Sequence, residues 1–324
     1  MNSSSERPGE FALIAELFAP LARNASSAFG LTDDAAIIAP PAGHELVITA
    51  DTLVEGVHFL PGDPAASIAK KALRVNLSDL AAKGADAIGY LLALSLPRSK
   101  DMDWLRAFAS GLAEDQNTFG VALYGGDTTS TPGPLTISVT AFGFVPHGTM
   151  IRRAGAKPGD LVFVSGTIGD AGGGLDVLRN GTKDNDYLAD RYREPQPRLK
   201  LGYVLREWVN ASIDVSDGLL ADLGHIAEMS NVRIEVEASR IPLSPQLRAL
   251  WGEDCVVRAA TCGDDYEIAL AVPYHSHGLV KELARGRAKT PITEIGRVTA
   301  GQGVVLIDEK AREIPVSRRG FTHF

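Results

Sequence analysis

Apolar positions recur at helical spacing over 64–83 and again over 102–117. Between and around them lie short apolar runs at 46–50, 88–96 and 121–124, which predict strands. Leu135, Ile137, Val139, Ala141 and Val145 then alternate with Thr136, Ser138 and Thr140. That period of two predicts a strand with unlike faces, antiparallel or at a sheet edge. The turn-rich stretches Pro146-His147-Gly148 and Lys157-Pro158-Gly159-Asp160 follow, and set a boundary near residue 150. Beyond it the pattern predicts strands at 161–164, 211–215, 232–236, 266–272 and 303–307, and helices at 197–208, 218–229 and 277–284. Gly169 to Gly174 reads as a glycine-rich turn running into a helix at 175–178. Both halves mix helices and strands, so each is α/β or α+β.

Composition narrows the class. At 324 residues the chain exceeds the usual size of one domain, which fits two domains, 1–150 and 151–324. A formal charge of -8 and an aromatic content of 6% argue against a nucleic-acid partner, which would want basic stripes and stacking rings. Cys255 and Cys262 have neither zinc spacing nor disulfide density and read as reduced thiols. The start, Met1–Pro8, is polar, and the most apolar run is too short to span a bilayer. The expectation is a soluble, cytoplasmic protein with no membrane partner.

Chemistry gathers in acidic motifs: Asp33-Asp34, Thr49-Ala50-Asp51-Thr52, Asn76-Leu77-Ser78-Asp79, Gly125-Gly126-Asp127-Thr128 and Asp214-Val215-Ser216-Asp217-Gly218. Asp51, Asp127 and Asp214 each follow an apolar run, which predicts them at strand ends, where open sheets form sites. Asn76 and Asp79, three apart, share one face of a predicted helix. Converging carboxylates repel unless cations lie between them, so the set reads as a magnesium cradle, and magnesium points to phosphate chemistry. The plainer alternatives are helix or turn caps for each Asp, and an ion pair of Asp79 with Lys83. The Gly169–Gly174 turn is either an amide nest for phosphate or a flexible turn. Arg152 and Arg153 could touch phosphate or base, or form a solvated pair, and His58 could line a pocket or be structural. No Walker A loop, dinucleotide fingerprint or nucleophile elbow is present.

In order along the chain these motifs resemble the thiamine-monophosphate kinases. The likeness is carried by Gly9-Glu10-Phe11, Asp33-Asp34-Ala35, the run Asp51 to Phe59, Val75 to Ala82, Gly125 to Thr129, Gly155 to Asp160, Asp214 to Leu219, Asp264-Asp265-Tyr266-Glu267 and Gly320 to Phe324. It implies a two-domain synthetase-like fold shared with aminoimidazole ribonucleotide and selenophosphate synthetases. There an N-terminal α/β domain contributes its sheet to a barrel across a homodimer, beside a C-terminal α+β domain. The implied reaction is transfer of the ATP γ-phosphoryl group to thiamine monophosphate, with several Mg2+ ions; since a phosphate oxygen is already anionic, direct in-line attack without a phosphoenzyme is the expected route. Carried over by position, metal ligands fall on Asp34, Thr49, Asp51, Asp79, Asp127, Asp214 and Asp217, with Asp33 adjacent. Asp51, Asp127 and Asp217 carry the catalysis, Gly126, Asp127, Arg153 and Ser216 contact ATP, and His58, Asp264 and Phe321 hold the thiamine phosphate. The chain departs from the family's pattern at Thr32, where Gly is common, and at Cys262-Gly263-Asp264-Asp265, where Gly-Gly-Glu-Asp is usual. Two rival readings are another ATP-dependent enzyme of the same superfamily and a non-catalytic nucleotide or Mg2+ sensor.

Overall fold

The computed structural model describes residues 9–181, 185–252 and 255–322; Met1–Pro8, His323 and Phe324 lie outside them. The chain divides into two compact units. One takes the chain to Leu80 and again Asp86–His147; the other takes Ala81–Ala85 and everything from Gly148.

In the first unit α1 (Glu10–Leu13) leads through irregular turns to β1 (His44–Val54). There follow α2 (Ala65–Ala82), β2 (Asp86–Pro97), α3 (Met102–Phe119), β3 (Ala122–Thr131) and β4 (Thr136–Pro146). Helix α3 starts where Asp101 accepts the Trp104 amide and stops at Gly120, whose φ of 71° is left-handed. The sheet order is β1-β4-β2-β3, antiparallel except for the β2–β3 pair. β4 is thus antiparallel as the alternation predicts, but interior.

The sheet's two faces differ. Tyr90, Leu92, Leu94 and Leu96 of β2, with Ile137 and Val139 of β4, are buried. Between them Leu91 and Ala93 are exposed, and on β1 so are Ile48, Ala50 and Thr52. One face is covered and the other open. Above the covered face the buried Arg74 of α2 donates twice to Asp115 of α3, at 2.7 Å each, and so fixes the two helices to one another.

The second unit holds a six-stranded sheet in the order β10-β7-β9-β5-β8-β6. Its strands are β5 (Leu161–Ser165), β6 (Ala211–Asp214), β7 (Arg233–Glu237), β8 (Ile268–Val272), β9 (Ile292–Thr299) and β10 (Gly303–Ile307). Its helices include α4 (Asp170–Asn180), α5 (Asp186–Arg193), α6 (Leu199–Leu205), α7 (Leu219–Ser230), α8 (Pro245–Trp251), α9 (Val256–Thr261) and α10 (His277–Leu283). Ala269 and Ala271 of β8 join Leu219, Leu223 and Ile226 of α7 in one core. Ile268, Leu270 and Val272 join Leu201 and Leu205 of α6 and Val280 of α10 in another. A strand buried on both faces reads as a continuous apolar run, which is why β8 shows no alternation. Among the described residues no helix is long and apolar enough to cross a membrane.

Candidate functional site

In the first unit Thr49 and Asp51 are alternate residues of β1 and so share a face, the one that α2 covers. Asn76 and Asp79 on α2 meet them: Thr49 Oγ1 donates to Asp79 Oδ2 at 2.5 Å, and the Asp51 amide donates to Asn76 Oδ1 at 3.0 Å. Asn76, fully buried, is itself oriented by donating to the Ala72 carbonyl. Burial first, and repulsion from Asp79 second, push the Asp51 carboxyl up to about 6. Two crowded carboxylates beside a hydroxyl are a hard-oxygen set that suits a divalent cation. Lys83, the ion-pair partner of Asp79 in the plainer alternative, donates to the Ser212 carbonyl at 3.0 Å.

The strand-end expectation fails for two of its three residues. Asp51 lies inside β1 and Asp127 inside β3, because both strands run on past the apolar core that the pattern marks; Asp214 does end β6. By register Asp51 stands in a row with Val139, Leu92 and Gly126, and Asp127 in the next row with Ala93, Ser138 and Thr52. Adjacent rows of a pleated sheet face opposite sides, so within this unit Asp127 belongs to the open face and Asp51 to the covered one. Gly126 is required by the sheet itself, since a Cβ there would lie 1.8 Å from the Leu92 carbonyl oxygen. Asp33 and Asp34 are exposed, and the Asp34 amide donates to Asp33 Oδ1 at 2.8 Å. His58 Nδ1 accepts the Val54 amide at 3.0 Å, which leaves the ring's proton on Nε2.

In the second unit the loop after β6 is hydrogen-bonded along both edges. The carbonyls of Val215, Ser216 and Asp217 accept from the amides of Tyr266, Asp264 and Phe321, at 2.8, 2.8 and 2.9 Å. The amides of Ser216, Asp217 and Gly218 all donate to one oxygen of Asp222, at 3.0, 3.1 and 3.1 Å. The structure therefore joins Ser216, Asp217, Asp264 and Phe321 through one loop. Asp264 and Tyr266 both take left-handed φ, 70° and 49°, a strained pair for residues with side chains. Arg153 is exposed.

Sequence reasoning misses Asp222 and His225 on α7. Their ligand atoms and one of Asp217 lie within 4.8 Å of one another. Burial and the Asp217 charge push Asp222 up to about 7, against the downward pull of its three amides. The usable signal is spacing: Asp222 and His225, three apart, share a face of the helix that follows Asp217.

The glycine-rich turn is corrected. Residues from Asp170 onward are already helix α4, and the Gly169 and Ala171 amides at its start donate to the buried Asp265 at 2.7 and 3.3 Å. A carboxylate of the chain's own occupies the place proposed for phosphate. Gly174 serves packing: a Cβ there would lie 2.0 Å from the Leu188 carbonyl oxygen of α5. Glu267, fully buried, accepts from Ser165, Arg191 and Arg198 at 2.5–3.0 Å and so knits β8 to β5, α5 and the chain before α6.

Residues 32–145 match the family model for the AIR synthase related protein N-terminal domain, and 157–309 match that for its C-terminal domain. This defines the class as a two-domain, AIR synthase-like α/β fold with mixed sheets. The thiamine-monophosphate kinase of Caulobacter vibrioides is 44% identical over 98% of this chain and 91% of its own. The crystal structure of thiamine-monophosphate kinase from Stenotrophomonas maltophilia K279a is 43% identical, with a TM-score of 0.84 over 94% of this chain and 98% of that one. A further solved structure, AaThiL complexed with AMPPCP and TMP, is 30% identical with a TM-score of 0.77 over 99% of this chain and 100% of that one. The chain belongs to the thiamine-monophosphate kinase family.

Proposed function

We propose that the chain phosphorylates thiamine monophosphate with ATP by direct in-line transfer, giving thiamine diphosphate and ADP. The observation that carries this reading is the end-to-end match to a relative complexed with AMPPCP and TMP. Asp33, Asp34, Thr49, Asp51, Asp79, Asp127, Asp214 and Asp217 are the residues we assign to Mg2+; the crowding of Asp51 by Asp79 supports the assignment for the Thr49, Asp51 and Asp79 group, and the family resemblance for the others. Bound Mg2+ would neutralise phosphate charge in this acidic setting. Gly126, Asp127, Arg153 and Ser216 are assigned to ATP, and His58, Asp264 and Phe321 to the thiamine phosphate, with Phe321, 47% exposed, assigned to stack on an aromatic ring of the substrate.

An oxygen of the acceptor phosphate forms the new bond to the γ-phosphorus while the bond to the β-phosphate oxygen breaks and ADP leaves with the electron pair. That acceptor oxygen is already anionic, so no strong general base is needed. What the chain supplies is alignment and charge compensation.

Residues 1–150 are the part to which we assign ATP and Mg2+ binding and dimerisation, with 151–324 as the C-terminal domain. The open face of the β1–β4 sheet supports a homodimer closed into a barrel, because Ile48 and Leu91 on it are 60% and 39% exposed. The reaction belongs to the cytoplasm, where ATP and magnesium are abundant. Incubating the chain with ATP, thiamine monophosphate and Mg2+ tests the reading. Thiamine diphosphate and ADP should appear one for one, and ATP consumption without thiamine diphosphate would overturn it.

A further inference from the structure

Asp222 belongs to none of the sets assigned above, yet it is 2% exposed, and three consecutive amides converge on one of its oxygens. In its ionised form, the form that these three amides favour, the Asp222 carboxylate makes charge-assisted bonds, about twice the strength of neutral ones. The segment it holds carries Ser216 and Asp217 on its side chains and, through its carbonyls, fixes the backbones of Asp264 and Phe321. We propose that Asp222 is a positioning residue. By pinning the 216–218 amides it sets the register between the groups assigned to ATP and Mg2+ and those assigned to the thiamine phosphate. The inference rests on the functional reading above for its kinetic consequence, but not for the clamp itself.

The geometry explains why a carboxylate is used. Three N–H groups at 3.0–3.1 Å around one oxygen need a strong acceptor, and the turn leaves them no carbonyl partner in α7. Gly218, with φ 129°, turns the chain into α7, and the Asp222 amide donates back to the Gly218 carbonyl at 2.9 Å. Helix and loop therefore hold one another reciprocally. A clamp of this kind sets where neighbouring groups stand without touching a reactant.

The test compares Asp222→Ala and Asp222→Asn with the wild-type chain, using hydrogen exchange and steady-state kinetics. In Asp222→Ala the amides of Ser216, Asp217 and Gly218 should exchange at least tenfold faster. Its kcat should fall about 100-fold per folded molecule, with KM raised for both ATP and thiamine monophosphate. Asp222→Asn keeps an acceptor oxygen and should lose only about tenfold in kcat, a partial rescue that a merely structural role would not produce. If Asp222→Ala does not fold, Asp222→Asn decides: a tenfold loss supports the clamp, and wild-type kcat overturns it. Unchanged exchange at 216–218 in a folded variant also overturns it. Should the wild-type chain itself make no thiamine diphosphate, the functional reading fails, while the exchange measurement still judges the clamp.

Discussion

The Thr49/Asp51/Asp79 cluster and the 215–218 loop handle acidic groups in opposite ways. In the first, regular elements fix the backbone and leave two carboxylates crowded, with Asp51 pushed up to about 6 by burial and Asp79. In the second, the backbone has no regular element to hold it, and Asp222, Asp264, Tyr266 and Phe321 hold it instead. The difference teaches that a strand and a helix can present raw ligands directly. A loop must first be made rigid, here by Asp222, to which no contact with a reactant is assigned, and by backbone bonds from Asp264, Tyr266 and Phe321.

The strongest way to break the comparison is to neutralise a raw ligand. Asp51→Asn or Asp127→Asn should lower kcat about 10³-fold at saturating Mg2+, the scale of losing one well-placed electrostatic group, with circular dichroism unchanged. Next in size is the open face of the same sheet. Under the homodimer barrel proposed above, Ile48→Asp places a charge in an apolar seam and should halve the mass seen by light scattering; an unchanged mass would count against the barrel. Away from either region, Gly174→Ala should lower stability by about 1–3 kcal/mol in thermal unfolding, since its Cβ collides with the Leu188 carbonyl, and should leave activity per folded molecule intact.

The smallest effect concerns pH. Asp51's folded value, about 6, lies above the ordinary 3.8, so its contribution to stability is present below 3.8 and is lost as pH rises to about 6. Asp51→Asn removes that loss. The metal-free variant should be more stable than the wild type at pH 7 by about 1–2 kcal/mol, discounted for partial exposure. Added Mg2+ should close the gap by stabilising only the wild type.

Much of this was legible in the chain, and the failures have physical causes. The helix over 64–83 and the strand over 88–96 agree closely with α2 and β2: β2 alternates between a buried and an open face, while α2, none of whose residues is exposed, is marked by its long apolar, helix-forming run between Pro64 and Gly84. β9 went unread since Pro291 and Gly296 interrupt its pattern, although Gly296 is there to let β7 approach: a Cβ would lie 2.0 Å from the Glu235 carbonyl oxygen. The run Gly172-Gly173-Gly174 imitates a loop, and only tertiary packing against α5 shows why a helix carries it. At the site, spacing pairs only Asn76 with Asp79; that Thr49 and Asp51 belong with Asp79 is what the family resemblance implies, and the structure joins them. That Asp127 takes the opposite face depends on strand order and register, which periodicity cannot give. For Asp222 the spacing to His225 marks only a shared helix face; its hold on three backbone amides has no sequence signature.

Single-turnover transfer from γ-labelled ATP to thiamine monophosphate, followed as a function of Mg2+ in the wild type and Asp51→Asn side by side, tests the central claim most directly. Label should reach thiamine diphosphate in the wild type with steep Mg2+ dependence, and Asp51→Asn should need far more Mg2+ and remain slower even at saturation. Equal rates and equal Mg2+ dependence in the two proteins would contradict that claim.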